Sequence, residues 1–221
     1  MASAVTRIGP IPYESILSAV CRINFRSNTD SGFLCVSKRG FTGEEDTYLL
    51  VTNNRVISDI SMRSLKTYFF EFLSVPNLKQ FQFAEENIEA AWRDQKVDAT
   101  VIEIKKEMAA RMMQQGARFL EIGAPVVGTN AAVVGFQEGI LKSINYGEIR
   151  AFMNGCKILY RSSMKPLHCG SPLVTMEGIA VGIHKGIFSN ELNEAVNIEF
   201  VLQLYFQQKK LPVKSSNQGR C

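Results

Sequence analysis

"MKPLHCGSPLV", residues Met164 to Val174, contains the one cysteine whose surroundings invite a chemical hypothesis. Cys169 is followed by Gly170, Ser171 and Pro172, residues that build turns, and then by an apolar run that reads as a strand. A thiol on a sharp turn at the mouth of a strand is either a working nucleophile or the preserved shape of one.

The chain around it has 221 residues, 46% of them hydrophobic, enough for one large domain or two small cores sharing an interface. Its net charge is +4, and the basic residues are scattered apart from Lys209, Lys210, Lys214 and Arg220. That tail reads as a solvated end rather than an anchor for nucleic acid or membrane. The opening "MASAVTRIGPIPYES" lacks an apolar core of signal-peptide length, and no later stretch has 18 uninterrupted apolar residues. The expectation is a soluble, unsecreted protein. The cysteines at 21, 35, 156, 169 and 221 show neither CxxC nor the Cys/His spacing of a zinc site, so neither metal nor cofactor is implied. They read as reduced thiols of a cytosolic or nuclear compartment, with Cys21, Cys35 and Cys156 as small buried hydrophobes and Cys221 as a free surface thiol. Trp92 and Phe69, Phe70 and Phe72 have no regularly interleaved basic residues, which argues for packing and against a nucleic-acid platform.

Short runs such as "SAVCRINF", "SGFLCVS", "TYLLVTNN", "TYFFEFL", "DATVIEI", "AAVVGFQ", "CKILYRS" and "GIAVGIH" dominate, separated by Gly, Asn, Ser and Pro. Their length and β-branched or aromatic content predict strands. Two segments break the rhythm. In "IKKEMAARMMQQ" the spacing of Ile104, Met108 and Met112 predicts a connector helix over 104–116, stopped by Gly116. After Asn197, "NIEFVLQLYFQQKK" sets Ile198, Val201, Leu202 and Tyr205 on one face and predicts a C-terminal helix over 197–210 docked on a β core. "AEENIEAAWRDQK" (84–96) reads as a loop with a helical turn, and residues 211–221 as a mobile tail.

Together "SGFLCVS" with "LLVTNNRVIS", then "VDATVIEI", then "KPLHCGSPLV" with "AVGIHKG" resemble the trypsin-like, or chymotrypsin-fold, peptidases. The likeness is strongest to intracellular trypsin-like peptidase domains and more distant to viral cysteine proteases of that fold. It spans roughly Ile16 to Gln208. It implies an all-β double barrel: an N-terminal segment 1–13, a first barrel over 14–103, the connector, a second barrel over 117–196 opened by "FLEIGAPVVGTNAAVVGF", the helix and the tail. It also implies triad-equivalent positions at Arg55, Asp98 and Cys169. Members of the family commonly carry His where this chain has Arg55, and Gly where it has Leu167. The acid, Asp98, is retained, and the oxyanion-hole region would comprise Leu167, His168 and Gly170.

Peptide hydrolysis by this route needs a nucleophile, a base that takes and returns its proton, and donors for the oxyanion. Arginine stays protonated and offers only donors, so Arg55 cannot be the base. Facing Cys169 it would favour thiolate; paired with Asp98 it would close the old triad as a partly buried salt bridge. His168 neighbours Cys169, but adjacent residues on a sharp turn point apart. In "GIAVGIHKG" strict alternation puts Ile179, Val181 and Ile183 toward a core and Ala180, Gly182 and His184 toward a cleft. By resemblance that second face is a substrate pocket in which His184 would recognise a Gln or Glu side chain; packed at a strand end, it would be a satisfied structural histidine. The leading expectation is a pseudoprotease binding a peptide or protein partner in the inter-barrel cleft, with no nucleic-acid or membrane partner. The alternatives are a cysteine endopeptidase with an altered triad and a scaffold in which the cleft is irrelevant.

Overall fold

The computed structural model describes residues 13–25, 28–38, 45–58, 65, 67–72, 74–75, 81–137, 141–162 and 169–210. Leu167, His168, the segment 1–12 and the tail from 211 lie outside the described residues. Of those that are described, no helix is long and apolar enough to cross a membrane.

A short helix, α1 (Tyr13–Leu17), leads into β1 (Val20–Phe25), β2 (Asn28–Ser37), β3 (Thr47–Thr52), β4 (Phe69–Glu71), β5 (Ile88–Asp94) and β6 (Ala99–Ile104). These form a sheet in the order β4-β1-β2-β3-β6-β5. β2 carries the curl of this sheet. Its first half pairs with β1, its second half with β3, and Cys35 and Val36 also take a parallel partner, β7 (Leu120–Glu121). The central strands are buried on both faces, and all six residues of β6 are buried, Thr100 and Glu103 included. Leu34, Leu50 and Ile102 face one core with Phe70, Phe72 and Phe83, while Phe33, Val51 and Val101 face the other half of the molecule.

The second half is a closed barrel of six strands, β8 (Asn130–Gln137), β9 (Leu141–Met153), β10 (Lys157–Ser162), β11 (Pro172–Thr175), β12 (Ala180–Ile187) and β13 (Asn193–Asn197), in the order β10-β13-β12-β11-β8-β9. Its interior is filled by Val133, Ile149, Ile158, Tyr160, Leu173 and Val181.

Both expected helices form, with shifted starts. The connector helix, α2 (Lys106–Gln114), begins two residues late because Ile104 is the last paired residue of β6. It buries Met108, Ala109 and Met112 in the core of the first half, and Gly116 ends it at φ +105°. The C-terminal helix, α3, spans Ile198–Lys210. Asn197, the last residue of β13, caps it by accepting the Glu199 N–H on its side-chain oxygen at 3.0 Å. The face foreseen for it, Ile198, Val201, Leu202 and Tyr205, is the buried one.

Two local expectations change. Residues 84–96 hold a 3-10 turn (Glu85–Asn87) followed by β5, not a loop: register against β6 lets Ile88 and Trp92 reach buried positions that the charged neighbours conceal in the sequence. Residues 117–122 do not open the second barrel, because β7 pairs with β2 and Ile122 bridges to Ala180, so this segment links the halves and barrel strands begin at Asn130.

α3 bolts the halves together. Tyr205 packs edge-on to Trp92 and its hydroxyl donates to Glu103, Lys209 pairs with both Glu103 oxygens at 2.8 and 3.0 Å, and the Trp92 indole N–H donates to Gln208 at 2.5 Å. Leu202→Ala should therefore lower unfolding free energy by about 2–5 kcal/mol. Chemical denaturation followed by fluorescence of Trp92, the single tryptophan, measures it.

Candidate functional site: the cleft at Cys169

Three turns converge where the two halves meet. The first follows β3, where Val56 N–H donates to the Asn53 carbonyl at 3.1 Å and coils the chain so that Arg55 projects. The second joins β5 to β6: the Asp94 carboxylate accepts from the amides of Lys96 and Val97, and Asp98 turns back at φ +56°, a conformation aspartate tolerates. The buried Asn53 ties the two turns together by donating its side-chain amide to the Asp98 carbonyl at 2.9 Å. The third is the Cys169–Gly170 turn before β11.

Arg55 and Asp98 meet as a fork. Nε donates to Asp98 Oδ2 at 2.9 Å, Nη2 to the same oxygen at 2.5 Å, and the Arg55 backbone N–H to Oδ1 at 3.2 Å. The carboxylate side chain is 12% exposed and the guanidinium side chain 51%, so the pair closes over Asp98 and leaves arginine at the surface.

Cys169 is half-buried, and its thiol donates to the Lys185 carbonyl at 3.1 Å. Burial pushes its pKa up. The Arg55 charge works against that rise, and Asp30 and Asp98 add to it. Gly170 sits at φ +87° with its N–H on the His184 carbonyl at 3.0 Å; a β-carbon there would collide with the Ser31 carbonyl and the Thr52 hydroxyl.

His184 is buried. Its backbone N–H donates to the Ser171 carbonyl at 2.8 Å, and its Nδ1 lies 2.6 Å from the Tyr160 hydroxyl. Tyr160 comes from β10, two strands away across β13, and burial drives its hydroxyl pKa well above the usual range, keeping it protonated. Ala180 has no exposed surface and packs in the cluster between the halves. Gly182 packs against Ile158 and Ala195. A register shift in β12 between its pairings at Leu173 and Val174 interrupts the strict alternation expected of that strand.

No family model matches the chain. It is 27% identical over 127 residues to the polyprotein P2A and to the replicase polyprotein P2AB of Southern cowpea mosaic virus, a match covering 57% of this chain in each case. The chain spans only 22% and 13% of those relatives' lengths. Among solved structures it is similar to an inactive mutant form of Rv3671c from M. tuberculosis H37Rv, with TM-score 0.62 and 15% identity, covering 96% of this chain and 98% of that one. It is similar also to a serine endoprotease from Yersinia pestis, with TM-score 0.62 and 17% identity over 88% of this chain and 65% of that one. The fold is that of the chymotrypsin-like proteases.

In this chymotrypsin fold Arg55, Asp98 and Cys169 come from the three turns that meet between the halves, and the first two are directly bonded. Sequence reasoning missed four neighbours. Ser31 bonds to the Cys169 turn, Thr52 packs beside Gly170, Asp30 faces both Arg55 and Cys169, and Tyr160 meets His184. Only Tyr160 left a signal: it shares a strand face with Ile158 in "CKILYRS", and a buried tyrosine hydroxyl needs a partner. Among the described residues no group of three or more His, Cys, Asp and Glu side chains converges as a metal donor set.

The charges give a signed prediction. Iodoacetamide reacts with thiolate, so Cys169 should label slowly at pH 7 and faster only above the ordinary thiol range. Arg55→Gln should move that profile to higher pH, and Asp30→Asn to lower pH, as read by peptide mass mapping of labelled Cys169.

Proposed function

We propose that the protein is a catalytically degenerate member of this fold, a peptide-binding module that does not hydrolyse its ligand. The observation that carries the reading is the fate of the protons at the site. The Cys169 thiol gives its hydrogen to a backbone carbonyl, and the neighbouring side chain, Arg55, is locked onto Asp98 and has no lone pair to offer. A serine or cysteine protease needs an acceptor at that place.

The binding partner in this reading is an extended peptide or protein segment in the inter-barrel cleft, carrying a Gln or Glu side chain toward His184. The Tyr160 hydroxyl supports this. Lying 2.6 Å from His184 Nδ1, it sets the orientation of the imidazole from a buried position. The likeness to proteolytic proteins adds the precedent of a cleft at this position.

A second reading, a cysteine endopeptidase with an altered triad, is favoured by one feature: the Arg55 charge stabilises a thiolate at Cys169. One experiment separates them. A Gln-containing peptide incubated with the protein should be recovered intact, and Arg55→His combined with Leu167→Gly should restore measurable hydrolysis by liquid chromatography and mass spectrometry. Cleavage by the wild-type chain, abolished in Cys169→Ala, would establish the endopeptidase instead.

A further inference from the structure

Beside the end of β10 lies an open cavity of about 610 Å³, a volume in the range of small-molecule sites. Its described lining shares no residue with the Cys169 turn, with Arg55 and Asp98, or with the Tyr160–His184 pair.

Four charged side chains line it: Glu148 and Arg150 from β9, Arg161 from β10, and Glu191 from the hairpin between β12 and β13. They balance in sign but not in pairing. β9 and β10 slip register between Leu159 and Tyr160, which leaves Arg150 as the extra residue of a bulge. Arg150 takes the Glu148 carboxylate at 3.1 Å, although the residue directly across from Glu148 is Arg161. Arg161 and Glu191 are exposed, and among the described residues neither side chain enters a hydrogen bond or an ion pair. One cavity thus presents a free guanidinium and a free carboxylate that do not meet each other.

Ser162, next to Arg161, lines the same space, and its Oγ is buried without a hydrogen bond. A buried hydroxyl in that state has a partner to gain. The exposed ring of Tyr146 adds an apolar wall.

From these placements we propose that the cavity binds a small zwitterion, a molecule of amino-acid or short-peptide chemistry. Its carboxylate pairs with Arg161, its ammonium with Glu191, a polar atom between them meets Ser162 Oγ, and its side chain lies on Tyr146. A simple anion is opposed by Glu148 and Glu191, and a simple cation by the two arginines. Only a ligand of both signs satisfies the two free groups together. The proposal is independent of the peptide-binding reading of the inter-barrel cleft and goes beyond it.

The test is isothermal titration calorimetry of the full chain at low ionic strength. The probes are the dipeptide Ala-Phe, its amide, its N-acetyl form and the doubly blocked form. Ala-Phe should bind roughly fivefold tighter than either singly blocked form, the scale of one partly exposed ion pair, and added salt should narrow both gaps. The variants separate the two ends. Arg161→Gln should abolish the preference for a free carboxylate and keep that for a free ammonium, and Glu191→Gln should do the reverse. L-phenylalanine binding as tightly as Ala-Phe would support the proposal with a free amino acid as ligand, and weaker binding would support it with a short peptide.

Equal binding of all four dipeptide forms, or binding of none, would overturn the proposal. So would inorganic phosphate binding as tightly as Ala-Phe, which would make the cavity an anion site, and so would preferences that survive both variants. The ratios among the blocked forms are measured on the wild-type chain, so the outcome does not depend on any variant folding.

Discussion

Ser31 is the point on which the two halves of the molecule register. It is fully buried, and three of its polar groups reach in three directions: the N–H to the Cys169 carbonyl at 3.1 Å, the carbonyl to the Thr52 hydroxyl at 2.7 Å, and the hydroxyl to the Phe136 N–H at 3.2 Å. Each bond crosses to a different element, one within the first half and two in the second. An unmade bond at such a depth costs about 1–3 kcal/mol, so the set tolerates little sliding between the halves. The room for this contact is made by glycine. A β-carbon on Gly170 or on Gly135 would meet the oxygens of Ser31, Thr52 or Ser171 at 2.0 to 3.1 Å.

That constraint fixes the shape of the Cys169 turn. The turn is held from below by Ser31, from one side by the Gly170 bond to His184, and from the strand by the His184 bond to Ser171. None of these bonds involves a side chain that catalysis would require. Nor does any of them involve Arg55 or Asp98, which form a separate pair in which Nε and Nη2 both converge on Oδ2.

Much of this was legible in the chain itself. The turn residues after Cys169 and the buried face of α3 depend on local patterns, and local patterns survive in one dimension. Ser31, Asp30 and the Tyr160–His184 pair did not show, because they meet only when strands distant in sequence pair in a given register. β5 was hidden for a related reason: its Glu, Arg and Asp face outward and dominate the composition, while Ile88 and Trp92 take buried places set by β6. The start of α2 was misplaced by two residues, since Ile104, Met108 and Met112 share a spacing even though Ile104 ends a strand.

Asn197 closes β13 and opens α3 in a single residue, and that economy has a kinetic side. The contacts that join the halves pair residues far apart in the chain, Ser31 with Cys169 and Trp92 with Gln208, and such long loops are slow to close. α3, launched directly from β13, reaches back to Trp92 and Glu103 in the first half. The contacts across the seam thus carry the largest loop-closure cost in the chain, whereas each half closes its own core over shorter separations.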